Sequence, residues 1–250
     1  MERPIPPPSA DRAEGESRWD QTVANVKTIG GALILALIIR IVLFEAFEIE
    51  GPSMEPTLLH GDRVVVAKFL YGLFPPLNSR WPVLGTVPVL AGDEALVTWG
   101  MPSAGHVVIV HSPMDNQDIV KRVIGVEGDR IRMQAGEVFR NGESLFVEVH
   151  GACDTQETTH MDEGCEVVEE HIGDRSWFVT RNRHNQDSFS ERIVPDDHIF
   201  VLGDHRHHSN DSRAIGPIPA ERVKGRALSI YWSRSKAGSV RWDRMFGSVR

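Results

Sequence analysis

The chain of 250 residues is poor in cysteine, has no excess of positive charge and, beyond residue 48, shows no helical periodicity. A net charge of −8 argues against a nucleic-acid partner, whose phosphates call for a basic surface. Length and mixed composition allow one sizeable domain or two small ones, with a real core. Lys and Arg are missing altogether from Glu143 to Asp174, where there are ten acidic residues, so that stretch carries −10 and the rest of the chain about +2. The stretch 143–174 therefore reads as a peripheral acidic insertion, dispensable for chemistry. Both cysteines, Cys153 and Cys165, fall inside it. A bridge between them would close a short loop, add about 3 kcal/mol in the chain-entropy model and imply an oxidising compartment. Free thiols are one alternative. A metal site is another, because His160 and His171 are interleaved with the cysteines, although the spacing fits no standard zinc pattern.

No apolar period is present in residues 1–27, which hold Pro-rich and charge-alternating segments and read as a disordered tail. The run IGGALILALIIRIVLFEAF, Ile29 to Phe47, is the most apolar of the chain. As a helix it would extend about 28 Å, close to the hydrocarbon thickness of a bilayer. No convincing small-x-small site follows it, which argues against a cleaved signal peptide. A core helix of this length would normally keep a polar face. Residues 28–47 are thus expected to be a transmembrane anchor, with Arg40 snorkelling to the nearer interface. Arg3, Arg12, Arg18 and Lys27 flank it on the N-terminal side and should keep that end cytoplasmic, sending the rest across.

After residue 48 short β-branched segments dominate: 62–69, 105–112, 118–126, 129–133, 136–142, 175–181, 198–204 and 226–233. They predict a mainly β protein, in which a single N-terminal transmembrane helix is followed by an all-β domain of sandwich or barrel type over 48–235. Residues 70–100 are rich in Pro and Gly and read as an irregular excursion, and 236–250 as a C-terminal tail.

The segment IEGPSMEPTLLHGDRVVV, residues 49–66, places Ser53 in a kinked turn just outside the anchor. A serine in a Gly-Pro context is usually a turn residue. As a nucleophile it would need a base and an oxyanion donor. His205, His207 and His208 form one candidate base cluster, though HRHH beside Asp204 also reads as a solvated loop. Lys121 is the other, in the otherwise apolar DIVKRVIGV. If it points inward, burial lowers its pKa toward that of a general base; if it faces water, it is a surface lysine.

Four segments taken together favour the lysine. SMEPTL (53–58), GDRVVV (61–66), KRVIGVEGD (121–129) and GDHRHHSNDSR (203–213) resemble, in order, the motifs of the bacterial type I signal peptidases, and the likeness spans about 45–235 with GRALSIYWS near its end. The resemblance implies a fold shared with self-cleaving Ser–Lys repressors, a Ser53 nucleophile and a Lys121 general base, and no cofactor or metal. It implies that Ser209 hydrogen-bonds the lysine amine and that Asp211 and Arg213 form a supporting ion pair. The Ser53 amide would be one oxyanion donor. The second donor, in many members the hydroxyl of a serine two residues before the nucleophile, is left unidentified, because that position is Gly51, which offers only backbone, and Pro52 has no N–H. His205 stands where the family usually has Asn. Phe47, Ile49, Met54, Leu58, Val64 and Val120 would line shallow pockets for Ala-x-Ala-type sites in exported preproteins. The implied surroundings are the bacterial inner membrane, with the catalytic domain on its outer face near the secretion translocon. A self-cleaving repressor would carry a DNA-binding module, which is not seen here. A membrane-anchored β-domain that only binds partners would tolerate loss of Ser53.

Overall fold

The computed structural model describes residues 10–73, 97–115, 117–154, 163–184 and 187–250, without the side chains of 10–18 and 37–42. Most of the 70–100 excursion, and His160, lie outside the described residues. Two compact units divide the chain, one ending at Ile41 and the other running Val42–Arg250.

The first unit holds all but the last two residues of helix α1, Ala10–Leu43. Residues 10–27, expected to lack structure, are helical because Ala, Arg, Glu, Gln and Lys are good helix formers and elongation from an existing helix costs far less than nucleation. Among the described residues no helix is long and apolar enough to cross a membrane. The apolar run also ends its helix earlier than residue 47. Phe44–Glu48 is strand β1, paired antiparallel with Arg63–Ala67, with Phe47 opposite Val64.

The second unit continues with β2 Asp62–Ala67, β3 Gly72–Leu73, β4 Val97–Thr98, β5 Val107–His111, β6 Asp118–Val126, β7 Arg130–Gln134, β8 Glu137–Arg140 and β9 Glu143–Ser144. Then come β10 Phe146–Ala152, β11 Cys165–Ile172, β12 Arg175–Asn182, β13 Phe189–Ile193, β14 His198–Leu202, the short helix α2 Ser212–Ile215, β15 Ile218–Pro219 and β16 Val223–Ser233. A seven-stranded antiparallel sheet has the order β1-β2-β16-β5-β6-β14-β15. Beside it lie a three-stranded sheet, β10-β11-β12, and a four-stranded one, β13-β7-β8-β9. One cluster on the large sheet joins Ile49, Met54, Leu58, Val64 and Val120. Another packs Ile124, Phe200 and Leu202 against Val168, Trp177 and Val179 of the smaller sheet. β6 is therefore covered on both faces, which is why its sequence is an apolar run rather than an alternation.

Two segments read as peripheral are integrated into this unit. Within 143–174, Val168 is buried in the second cluster and Glu170 is 4% exposed, and two strands of this stretch, β10 and β11, belong to a packed sheet. Cys153 and Cys165 form a disulfide across the end of the β10–β11 pair. The stretch 236–250 is not a free tail either. Val249 is buried in the first cluster, and Arg244 reaches Asp62 at 2.7 Å, which fixes the Gly61-Asp62 turn before β2. Asp62 also accepts from the Leu59 amide (2.9 Å) and the Ser233 hydroxyl (2.5 Å).

Candidate active site

Three backbone segments converge at Ser53. The turn after Gly51 closes with Glu55 N–H donating to Pro52 O at 3.0 Å. The His205 amide donates to Ser53 O at 3.1 Å, which ties that turn to the 203–206 loop. A Cβ at Gly203 would stand 2.4 Å from Ser53 O and 2.2 Å from Ser209 Oγ, so the close approach admits only glycine. β6 supplies the third segment. Lys121 Nζ lies 2.7 Å from Ser53 Oγ and 2.9 Å from Val120 O, and the lysine is 3% exposed.

Burial pushes the Lys121 amine down to about 8, against the opposing pull of Asp211 and Asp204 and with some help from Arg213. A neutral amine can take the hydroxyl proton as the serine attacks, so the pair has the geometry and the basicity of a nucleophile with its general base.

A groove of about 880 Å³ runs from Ser53 between β1 and the start of β6. Phe47, Ile49, Met54 and Val120 line it; Leu58 and Val64, expected there too, are fully buried beneath in the same apolar cluster. β1 pairs on one side only, as an edge strand of its sheet. Its free edge facing the groove can accept an extended peptide as an added strand. The far wall is polar: Asp118 accepts from Lys224 at 2.5 Å and lies 2.9 Å from His111 Nδ1.

Residues 22–232 match the family described as signal peptidase, peptidase S26. The chain belongs to that family. It is 31% identical over 221 residues to signal peptidase I of Pseudomonas fluorescens, covering 83% of this chain and 71% of the relative. Signal peptidase I of Pseudomonas aeruginosa is 28% identical over the same shares of the two chains. That of Leptolyngbya laminosa is 28% identical over 95% of this chain and 93% of its own.

In this S26 peptidase the expected supporting residues surround the pair with one difference. Asp211 and Arg213 make a two-pronged ion pair, both contacts at 2.8 Å. Burial would raise the Asp211 carboxyl, but the Arg213 hydrogen bonds and charge, with the Gly203 amide, outweigh it and hold the group below its ordinary value. Ser209 does not hydrogen-bond Lys121. Its Oγ is buried over Gly203 on the Asp211 side, without a partner of normal hydrogen-bond geometry. The amine is instead oriented by Val120 O, an acceptor that the strand itself provides. Nothing stands within 4 Å of a Cβ built on Gly51, so the site leaves open the space where a second oxyanion hydroxyl could sit.

The HRHH segment is only partly solvated: His207 is exposed, but His205 is 2% exposed, its ring 3.6 Å from the Glu55 carboxylate and edge-on to His208. Four further residues escaped the sequence. Arg122, fully buried, clamps Asp204 through two hydrogen bonds of 2.8 and 2.6 Å and stacks on Trp177. Arg206 pairs with Glu170 through both guanidinium nitrogens, one at 2.6 Å. The one available signal was two cations side by side in the apolar β6: on a strand they face opposite sides, so both could not be solvent-facing in a sheet covered twice.

Proposed function

We propose that the protein is a membrane-bound type I signal peptidase. It cleaves signal peptides from exported preproteins after small-x-small sites, with Ser53 as nucleophile and Lys121 as general base. The observation that carries this reading is the 2.7 Å contact between a serine hydroxyl and a buried lysine amine lowered to about 8, in a chain of the S26 family. The preprotein segment lies in the groove as a strand beside β1. Lys121 takes the Ser53 proton as Oγ attacks the scissile carbonyl; the Ser53 amide stabilises the oxyanion; the protonated amine then delivers its proton to the leaving amine. Water, activated by the same lysine, releases the acyl group. The shallow apolar lining from Phe47, Ile49, Met54 and Val120 rejects large side chains by overpacking.

The apolar helix ahead of Leu43 anchors the enzyme in the inner membrane with its N-terminus cytoplasmic, placing the groove near the translocon exit. In support, Ile29, Leu33, Ile34 and Leu35 are each about 60% exposed on consecutive faces of α1, apolar surface that water does not favour. The test is cleavage of a preprotein by the detergent-solubilised chain. Ser53→Ala and Lys121→Ala should each abolish product while the far-UV spectrum is unchanged. Turnover surviving in either variant would end the assignment.

A further inference from the structure

A second pocket, of about 450 Å³, shares no residue with the substrate groove. Gly105, His106, Arg175, Arg226 and Arg250 line it. Among the described residues none of these three arginines makes an ion pair with a carboxylate, although Asp174 also lines the space. Three guanidinium groups against one carboxylate leave the pocket with an excess of positive charge, which a bound anion would offset. Arg175 packs closely over Gly105: a Cβ there would stand 3.1 Å from Arg175 Cδ, and its φ of +86° suits glycine.

Two buried donors complete the pocket. Arg226 Nε is buried with no hydrogen-bond partner. His106 is 9% exposed, and its Nε2 is likewise buried and unpartnered. The state of that ring is fixed by its other nitrogen. The Ser103 amide donates to Nδ1 at 3.3 Å and the Tyr71 hydroxyl lies 3.0 Å from it. Nδ1 is therefore the acceptor and the ring proton sits on Nε2. Burial, with Arg226 and Arg175 adding to it, pushes His106 down to about 4, so the ring stays neutral and Nε2–H is a donor without an acceptor. Burial also pushes Tyr71 up to about 12, which keeps its hydroxyl proton in place.

We propose that this pocket binds a phosphate oxyanion, carried either by free phosphate or by the headgroup of an anionic phospholipid. An orphaned buried N–H group is costly, and an oxyanion would offer acceptors to both. The excess of donors over what a two-oxygen carboxylate can accept favours phosphate, and guanidinium forks match its oxygens in pairs.

The experiment uses the full chain in a neutral detergent. Inorganic phosphate is titrated against sodium chloride at matched ionic strength, followed by calorimetry and by the His106 ring signals in NMR. Phosphate should bind and shift those signals where chloride does not. Arg175→Gln, an exposed position that should not disturb folding, should weaken binding at least tenfold, and Arg226→Gln more. Arg130→Gln, whose guanidinium is exposed and paired with Glu191, should bind as the parent does. Vesicles of phosphatidylglycerol that compete with phosphate, where phosphatidylcholine vesicles do not, would identify a headgroup as the source; absence of competition would identify the free ion. Equal affinity in the Arg175 variant and the parent, or phosphate behaving like chloride, overturns the proposal.

Discussion

In the proposed dyad Lys121 can act as a base only because its surroundings make the charged amine expensive, and that cost can be measured in two ways. Activity requires the neutral amine, so kcat/KM for preprotein cleavage should climb with pH through about 8 and level off above it. Lys121→Arg should not rescue the reaction, since a guanidinium holds its proton. The second measurement is stability. In the unfolded chain the amine has its ordinary value of 10.5, so between about pH 8 and 10.5 the unfolded state binds the extra proton and stability rises with pH. Below that window the buried charge costs roughly 3–3.5 kcal/mol. Lys121→Met should therefore be inactive yet more stable than the parent at pH 7, and chemical denaturation at pH 7 and pH 10 should show the gap closing. Gly51 offers a test in the opposite direction. The open space beside it should accept a hydroxyl, and Gly51→Ser is expected to raise kcat by about tenfold with little change in KM; removing such a donor elsewhere costs ~10²–10³. A fall in kcat would mean that the hydroxyl cannot reach the oxyanion.

Elements matter most where charge misleads. The acidic run of 143–174 suggests a solvated excursion, yet Glu170 is the counter-charge of Arg206, whose amide donates to Thr180 O at 2.9 Å and whose Nε reaches Gly203 O at 3.2 Å. Leaving either member of a buried pair alone costs about 3–5 kcal/mol. Glu170→Gln should lower the unfolding free energy by that order and slow cleavage by loosening the 203–206 loop. Cys153→Ser with Cys165→Ser should cost about 3 kcal/mol or less and leave turnover intact, because the bridge lies at the end of the strand pair rather than at the loop. Urea melts and cleavage rates of the two variants, side by side, separate the packed part of the insertion from its stapled end. The same contrast explains what could be read from the sequence. The eight strand candidates all overlap observed strands, because β-branched runs between turn residues carry their own signal. Lys121 stood out as a charge inside such a run. Glu170 could not, since its partner lies 36 residues away and nothing local distinguishes it from its exposed neighbours. Arg122 was hidden by Lys121 beside it, and Asp204 by a loop rich in histidine.

At the scale of the whole molecule, the boundary between the N-terminal helix, the proposed anchor, and the β unit lies a few residues earlier than hydropathy places it. Apolar residues run on from α1 into Phe44–Phe47, and hydrophobicity does not register that backbone hydrogen bonding changes there from helix to sheet. Those residues belong to the catalytic unit: Phe44 pairs with Ala67, Phe47 packs on the first apolar cluster, and Phe47 and Ile49 form the wall of the groove. The Val42–Arg250 unit has its own clusters and its own sheet, so it should fold without what precedes it. Two truncations that differ by four residues should thus behave differently. A chain starting at Phe44 should be folded, should cleave a preprotein in detergent at a rate comparable with the full chain, and should lose most of its advantage on preproteins embedded in vesicles, where the anchor supplies a high effective concentration. A chain starting at Glu48 lacks the edge strand that the substrate strand joins, and should lose cleavage in detergent as well, by ~10²-fold or more as near-attack geometry is lost. Equal activity of the two in detergent would show that β1 neither shapes the groove nor holds the substrate. Inactivity of both, with the Phe44 chain unfolded, would show that α1 is part of the catalytic fold rather than only its tether.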